Sequence, residues 1–284
     1  MNKPTKFQSK YGSWALVTGG SSGIGAELAR QIAKKGLNVI LVARQQERLD
    51  LLALEIEKMH GVKVMSIPAD LTTQEGIERV KTETETLEVG LLVNNAGRED
   101  SGYFLETSLE MAVETLDLNV RAPLQLTHHF VRKMANRRKG GILFMASIVG
   151  FQGVPFIANY AATKAWDLIF AESLAAELKS TGIDVSVATP GFTKTELSPD
   201  FDFSGLPLNP MPAVSVAKTA LGGLGAKRLT VPGFVNKFLY VSGKYLLPRF
   251  MNTWSFGMVF RSVLRKKLRG QINGNSLKEE SISI

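Results

Sequence analysis

The sequence predicts an α/β fold: one doubly wound domain, its parallel sheet covered by helices on both faces, with a C-terminal helical extension. Three observations predict it. Short runs of aliphatic and β-branched residues alternate with longer stretches at helical spacing, the pattern of a parallel sheet with crossover helices. A glycine-rich turn separates the first such run from the first helix. The 284 residues, 44% hydrophobic and 21% charged, suffice for one large core, and no repeat or low-complexity tract divides them.

The elements follow in order. Residues 14–18 form the first strand, and a helix runs from about Ile24 to Lys35. Residues 38–43 are the second strand, followed by a helix over 46–59 with apolar residues at helical spacing. Residues 62–67 are the third strand and 91–93 the fourth, with a helix between them. Two helices fill about 108–138 before a fifth strand at 141–146. A long helix near 159–180 precedes the sixth strand at 184–188. A loop over 190–211 and a short helix near 213–224 lead to a seventh strand at 228–231. This places one α/β domain at 1–232 and a basic, amphipathic helical extension and tail at 233–284.

The first turn reads Thr18-Gly19-Gly20-Ser21-Ser22-Gly23-Ile24-Gly25. Glycines at 19, 23 and 25 permit a tight turn, close approach to a pyrophosphate and close helix–strand packing. The following helix offers its N–H groups and positive dipole end to phosphate. In this position the turn points to dinucleotide binding. After the second strand, an acid would bind an adenosine ribose, whereas an arginine would pair with a 2′-phosphate. Arg44 stands there, with no acid until Glu47. Its guanidinium can form a bidentate fork to phosphate, and Ser21 can add a hydroxyl. NADP(H) is expected over NAD(H).

Tyr160 and Lys164 lie four residues apart, which stacks phenol and ammonium on one face of a helix. An unperturbed tyrosine, with a pKa of about 10, is a poor proton shuttle near neutrality. A neighbouring cation is expected to favour the phenolate and pull that value down. Ser147, thirteen residues before the tyrosine, could hold a carbonyl oxygen.

Together these residues resemble the short-chain dehydrogenase/reductase family over about residues 10–232. The resemblance rests on the glycines at 19, 23 and 25, Asp70, residues 94–97 (Asn-Asn-Ala-Gly), Asn119, Ser147, Tyr160 with Lys164, and Pro190-Gly191. It implies a Rossmann-type sheet and NAD(P)-dependent oxidoreductase activity. Asp70 and Leu71 would flank the adenine, while Asn94, Asn95, Ala96 and Gly97 would line the cofactor cleft and stabilise the central sheet. Pro190 and Gly191 would hold the nicotinamide, with Thr193 and Thr195 near its carboxamide or the phosphates. Tyr160 would exchange a proton with the substrate oxygen. Lys164 would lower the tyrosine's pKa and bind the nicotinamide ribose. Ser147 would orient the carbonyl and stabilise developing charge. Asn119 would support a water chain to Lys164. The family also implies a homo-oligomer.

The predicted substrate is a hydrophobic carbonyl or alcohol, lipid-, steroid- or retinoid-like. The pocket segments Tyr103-Phe104, residues 148–151, Val154 to Phe156 and Phe192 to Phe203 are aromatic, apolar and poor in charge. There is no cysteine, which excludes disulfides and thiolate metal sites, and the adjacent His128 and His129 diverge on a helix, so no metal site is expected. No signal-peptide core and no run of about 18–20 apolar residues is present, so a cytoplasmic protein is expected. The net charge of +8 is local: residues 1–226 carry 23 basic and 24 acidic side chains, whereas 227–269 carry ten basic and none acidic. Within 234–269, Phe256, Val259, Phe260 and Val263 share one helical face, and Arg261, Arg265 and Arg269 another. This pattern fits a partner subunit, a cover over the cleft, or peripheral contact with an anionic inner membrane face. It carries no nucleic-acid motif. The rival reading is a non-catalytic dinucleotide-binding regulatory or scaffold protein attached through this basic segment.

Overall fold

In the computed structural model, residues 4–197, 200–204 and 209–272 are described. Seven parallel strands form the main sheet: β1 (Trp14–Thr18), β2 (Asn38–Ala43), β3 (Val64–Pro68), β4 (Val89–Asn94), β5 (Gly140–Met145), β6 (Ile183–Ala188) and, last in sequence, a short strand at Leu229–Thr230. The sheet order is β3-β2-β1-β4-β5-β6 followed by that short strand. The order reverses at β1, so the first two crossovers run one way from it and the later ones the other. This opens a crevice at the strands' C-terminal ends, beside β1 and β4. Leu16, Val17, Ile40, Leu41, Leu92 and Val93 are fully buried, because both faces of these central strands lie under helices.

On one face lie α1 (Lys6–Tyr11), α2 (Gly23–Lys34) and α3 (Gln46–His60). The other carries α4 (Gln74–Glu83), α5 (Leu109–Leu116), α6 (Ala122–Arg137) and α7 (Ala158–Glu177). The doubly wound, Rossmann-type expectation holds. The polar N-terminus hides a short helix that periodicity did not reveal. Thr5 and Gln8 form a reciprocal capping box, and Tyr11 at its end is buried and donates to Asp184 at 2.7 Å.

The long 190–211 loop contains β7 (Thr193–Lys194) and β8 (Met211–Pro212), which pair in a separate two-stranded sheet. Then come α8 (Ala213–Gly223) and the short seventh strand, β9 (Leu229–Thr230), shorter than the sequence suggested. Beyond β9, α9 (Phe234–Val241) leads through a π-helical turn to Pro248, which precedes α10 (Arg249–Val263). Residues 265–272 are also helical. As the spacing implied, Phe260 and Val263 are buried while Arg261, Arg265 and Arg269 are exposed. The charged end of the tail, Lys278 to Glu280, lies outside the described residues. No helix among the described residues is long and apolar enough to cross a membrane.

Candidate active site

The crevice begins where β1 ends. The Thr18 hydroxyl accepts from the backbone N–H groups of Asn95 and Ala96, each at 3.0 Å, clamping the ends of β1 and β4 together. Asn95 returns the contact, its amide donating to the Thr18 carbonyl at 2.9 Å. Gly19 and Gly23 hold φ of 63° and 54°, which disfavour any side chain. A Cβ at Gly25 would stand 2.1 Å from the Gly19 carbonyl oxygen, so α2 can approach the turn only without one. The result is a backbone-lined cradle at a helix N-terminus, a fit for a dinucleotide pyrophosphate. Ser22 immediately precedes α2 and makes no side-chain cap to it.

Along the cradle, Arg44 follows β2 and Asp70 follows β3. Burial pushes the Asp70 carboxyl up, but Thr72 donates to it through backbone and hydroxyl at 2.9 and 2.7 Å. With the nearby Arg44 and Arg98 charges, this holds its pKa below the usual range. Across the opening, Thr195 packs against Gly23, and Thr193 donates to the Gly191 carbonyl at 3.0 Å.

The other end is built on α7. Tyr160 lies in its first turn, and no side chain of the preceding residue caps the helix. A distant residue does so instead: Asp100 accepts from the Tyr160 backbone N–H at 3.1 Å and from the Asn159 amide at 2.6 Å. Ser147, at the end of β5, hydrogen-bonds the Tyr160 hydroxyl, and its own hydroxyl also reaches the Pro190 carbonyl at 3.4 Å. The Lys164 ammonium lies 5.9 Å from the Tyr160 ring centre and donates to the Met145 carbonyl at 2.9 Å and to Asp167 at 3.0 Å.

One expectation is corrected here. The tyrosine's pKa is raised, not lowered. Burial is the main cause, the negative charges of Glu99 and Asp167 add to it, and only the Ser147 bond opposes them. The sequence showed the lysine on the right face but not the aspartate that shares its charge.

Gly19, Ser21, Ser22, Gly23, Ile24, Gly25, Arg44, Asp70, Leu71, Asn95, Ala96, Gly97, Ser147, Tyr160, Lys164, Pro190, Gly191, Thr193 and Thr195 all line a single cleft of about 1490 Å³. Asn119 does not. It sits in a π-helical turn at Asp117–Arg121, 1% exposed, bonded to both backbone groups of Arg98 and to the Thr163 hydroxyl. Asn94 likewise turns away from the cleft, its amide donating to Thr127 on α6 at 3.0 Å.

The apolar wall also differs in part from the expected one. Ile148, Val149, Phe192, Phe201 and Phe203 line the cleft, joined by Phe256, Val259 and Phe260 of α10 and by Phe234, Val235 and Leu239 of α9. Tyr103 and Phe156 instead pack edge-to-face behind this wall, ring centres 5.5 Å apart, and Phe104 faces solvent. Thus the extension completes the cleft, a role periodicity alone could not choose among its three candidates. Asp100 was missed because its contact is non-local. Asp167 was readable in principle, an acid three residues beyond Lys164 on the same helical face.

The family model for short chain dehydrogenases matches residues 13–202. The chain belongs to the short-chain dehydrogenase/reductase family. It is 35% identical over 228 residues to a very-long-chain 3-oxoacyl-CoA reductase of Anas platyrhynchos, covering 77% of this chain and 71% of that one. It is 34% identical over 215 residues to a 7beta-hydroxysteroid dehydrogenase of Collinsella aerofaciens, covering 76% and 80%. A solved structure from work on 7beta-hydroxysteroid dehydrogenase stereoselectivity superposes with a TM-score of 0.81 at 28% identity, covering 88% of this chain and 98% of that one. A Sphingobium yanoikuyae short-chain dehydrogenase in complex with NADPH gives a TM-score of 0.75 at 32% identity, covering 81% and 92%. The chain is therefore an NAD(P)-dependent dehydrogenase/reductase with relatives that act on lipid and steroid substrates. The non-catalytic scaffold reading falls away.

Proposed function

We propose that this enzyme is an NADPH-preferring reductase of a hydrophobic carbonyl, lipid-, steroid- or retinoid-like, with Tyr160 as proton donor. The observation that carries the reading is the convergence of Tyr160, Ser147 and Lys164 on one cleft, between the glycine cradle and an aromatic wall. The reduced nicotinamide, when bound, supplies the hydride. The protein supplies position and the proton. Ser147 holds the carbonyl oxygen beside the Tyr160 hydroxyl, and the phenol passes its proton to that oxygen as negative charge develops. Lys164 would hold the nicotinamide ribose. Asn119, fixed behind Gly97, holds a water chain toward Lys164. Arg44, the first charged group after β2, is the basis for preferring a 2′-phosphate. The relatives named for 3-oxoacyl-CoA and hydroxysteroid chemistry support an apolar ketone substrate.

NADPH consumption over a panel of steroid and long-chain 3-oxo substrates, with Tyr160→Phe as control, tests this. Turnover that survives Tyr160→Phe overturns it, as does tight NADPH binding with no turnover on any member.

The reading extends to location, in the cytoplasm at the inner face of a membrane. Phe238, Tyr245, Leu246, Phe250 and Trp254 are exposed on the extension among Lys237, Lys244 and Arg249, an apolar and basic surface suited to anionic lipid. A homo-oligomer is proposed through a separate surface, where Leu109, Val113 and Leu116 of α5, Leu124 of α6 and Ile169 of α7 are exposed. Light scattering reads the second; a monomer at working concentration removes it.

A further inference from the structure

The Lys164–Asp167 pair is buried at the floor of the cleft, with side chains 6% and 5% exposed. An ion pair so enclosed recovers its desolvation only through close geometry and further hydrogen bonds. Both are present on the lysine's side: it lies 3.0 Å from the carboxylate and 2.9 Å from the Met145 carbonyl. Behind the aspartate is a void of about 10 Å³, lined also by Asn94, Asn119 and Thr18, the size that admits one water. The Asn94 side-chain amide oxygen Oδ1 is buried without a protein partner. The carboxylate thus stands between Lys164 and a small void of mixed lining, in which Leu71, Leu118 and Leu126 accompany the polar groups, a place where an apolar side chain would pack with less cost.

We propose that Asp167 is a positioning residue: it anchors the Lys164 ammonium on the cleft floor and keeps the Tyr160 phenol protonated, the form that reduction requires. The inference rests on Tyr160 being the proton donor. The physical basis is charge. A lysine alone would favour phenolate, whereas a carboxylate that shares the lysine offsets that pull. Burial raises the Asp167 carboxyl to about 6 against the opposing effect of Lys164, so it is ionised at neutral pH, and its charge is among those that raise Tyr160.

The other charged groups around this cluster come from neighbouring elements. The loop after β4 contributes Arg98, Glu99 and Asp100. Arg98 pairs with Glu114 of α5, Glu99 acts on Tyr160, and Asp100 holds its backbone N–H. The π-helical turn packed on α7 carries Asp117 and Arg121, paired at 3.1 Å. Asp184 on β6 is bound to Lys10 and Tyr11 at the far end of the sheet. Arg98, Asp100, Asp117, Arg121 and Asp184 are held by other partners, whereas Asp167 bonds the Lys164 ammonium directly, so a substitution at Asp167 changes the charge on that lysine and leaves theirs in place.

The test uses the full chain with NADPH and a steroid ketone, and with NADP⁺ and the matching alcohol, across pH. In Asp167→Asn the lysine is no longer offset, so Tyr160 ionises more easily. The basic limb of reduction and the acidic limb of oxidation both move to lower pH, by on the order of one unit for a charge at this range. Asp167→Glu, which keeps the charge, restores the parent profile. An unmoved Asp167→Asn profile with only a lower Tm overturns the inference and leaves the residue structural. Should Asp167→Asn not fold, the aspartate carboxyl ¹³C titration is read in parent and Lys164→Met chains. Loss of the ammonium moves a titration near pH 6 upward; a titration unmoved by Lys164→Met overturns the pairing. Full activity in Tyr160→Phe is a different result, and it overturns the proposed function itself.

Discussion

The floor and the cover of the cleft are built by opposite means. On the floor, Thr18 and Asn95 are bonded to each other across the ends of β1 and β4, Lys164 is held by Met145 of β5 and Asp167 of its own helix, and Gly19 and Gly25 leave no room for a Cβ. On the cover, α9 buries none of its residues, and Phe234 and Phe250 are 86% and 73% exposed. The inner face of α10 is packed, with Phe260 against Phe192 and Phe201, whereas α9 is held mainly by Tyr240 against Phe151, ring centres 4.6 Å apart. The difference teaches that the groups proposed for chemistry are fixed by the sheet ends, whereas the apolar cover leaves much of its surface exposed, the basis of the proposed membrane contact. A rigid floor suits proton and hydride geometry, which an error of about 1 Å can spoil.

Substitutions on the two regions should therefore separate cleanly. The largest effect belongs to the floor: Tyr160→Phe removes the proton donor and lowers kcat by about 10²–10⁴-fold with little change in NADPH binding. A small kcat change there would end the contrast. Phe260→Ala tests the packed half of the cover, and truncating a buried phenylalanine costs about 3–5 kcal/mol, read by chemical denaturation. Arg44→Ala weakens NADPH relative to NADH by roughly 10-fold or more, since charge-assisted hydrogen bonds contribute about 1.5–3 kcal/mol. Equal loss for both cofactors would take Arg44 away from the 2′-phosphate. Trp254→Glu, on the exposed half, shifts stability by only about 0.5 kcal/mol. It should nevertheless abolish sedimentation with anionic vesicles while leaving turnover of a water-soluble ketone intact.

A final effect on the floor is one of pH. Asp167 carries a folded-state pKa of about 6 against an ordinary 3.8, so between these values the folded protein holds more protons at this site than the unfolded chain. Its contribution to stability therefore falls as pH rises from about 4 to 6, and the difference between parent and Asp167→Asn across that window isolates it. A difference that does not vary with pH would place the carboxyl's folded and unfolded pKa values together.

The sequence by itself determined the strand–helix order, the glycine cradle and the pairing of Tyr160 with Lys164. These depend on period, turn chemistry and short spacing, which are local. The tertiary structure alone decided that Asn119 stands behind the cleft, that Asp100 caps the Tyr160 helix from sixty residues away and that Tyr103 and Phe156 pack behind the wall. It also decided that burial, with the charges of Glu99 and Asp167, reverses the expected effect on Tyr160, although the Lys164–Asp167 pair itself was in reach of helical spacing. A side chain's destination and the dielectric around it are set by elements distant in the chain. Periodicity fixes which way a residue faces, but not what charge it meets there.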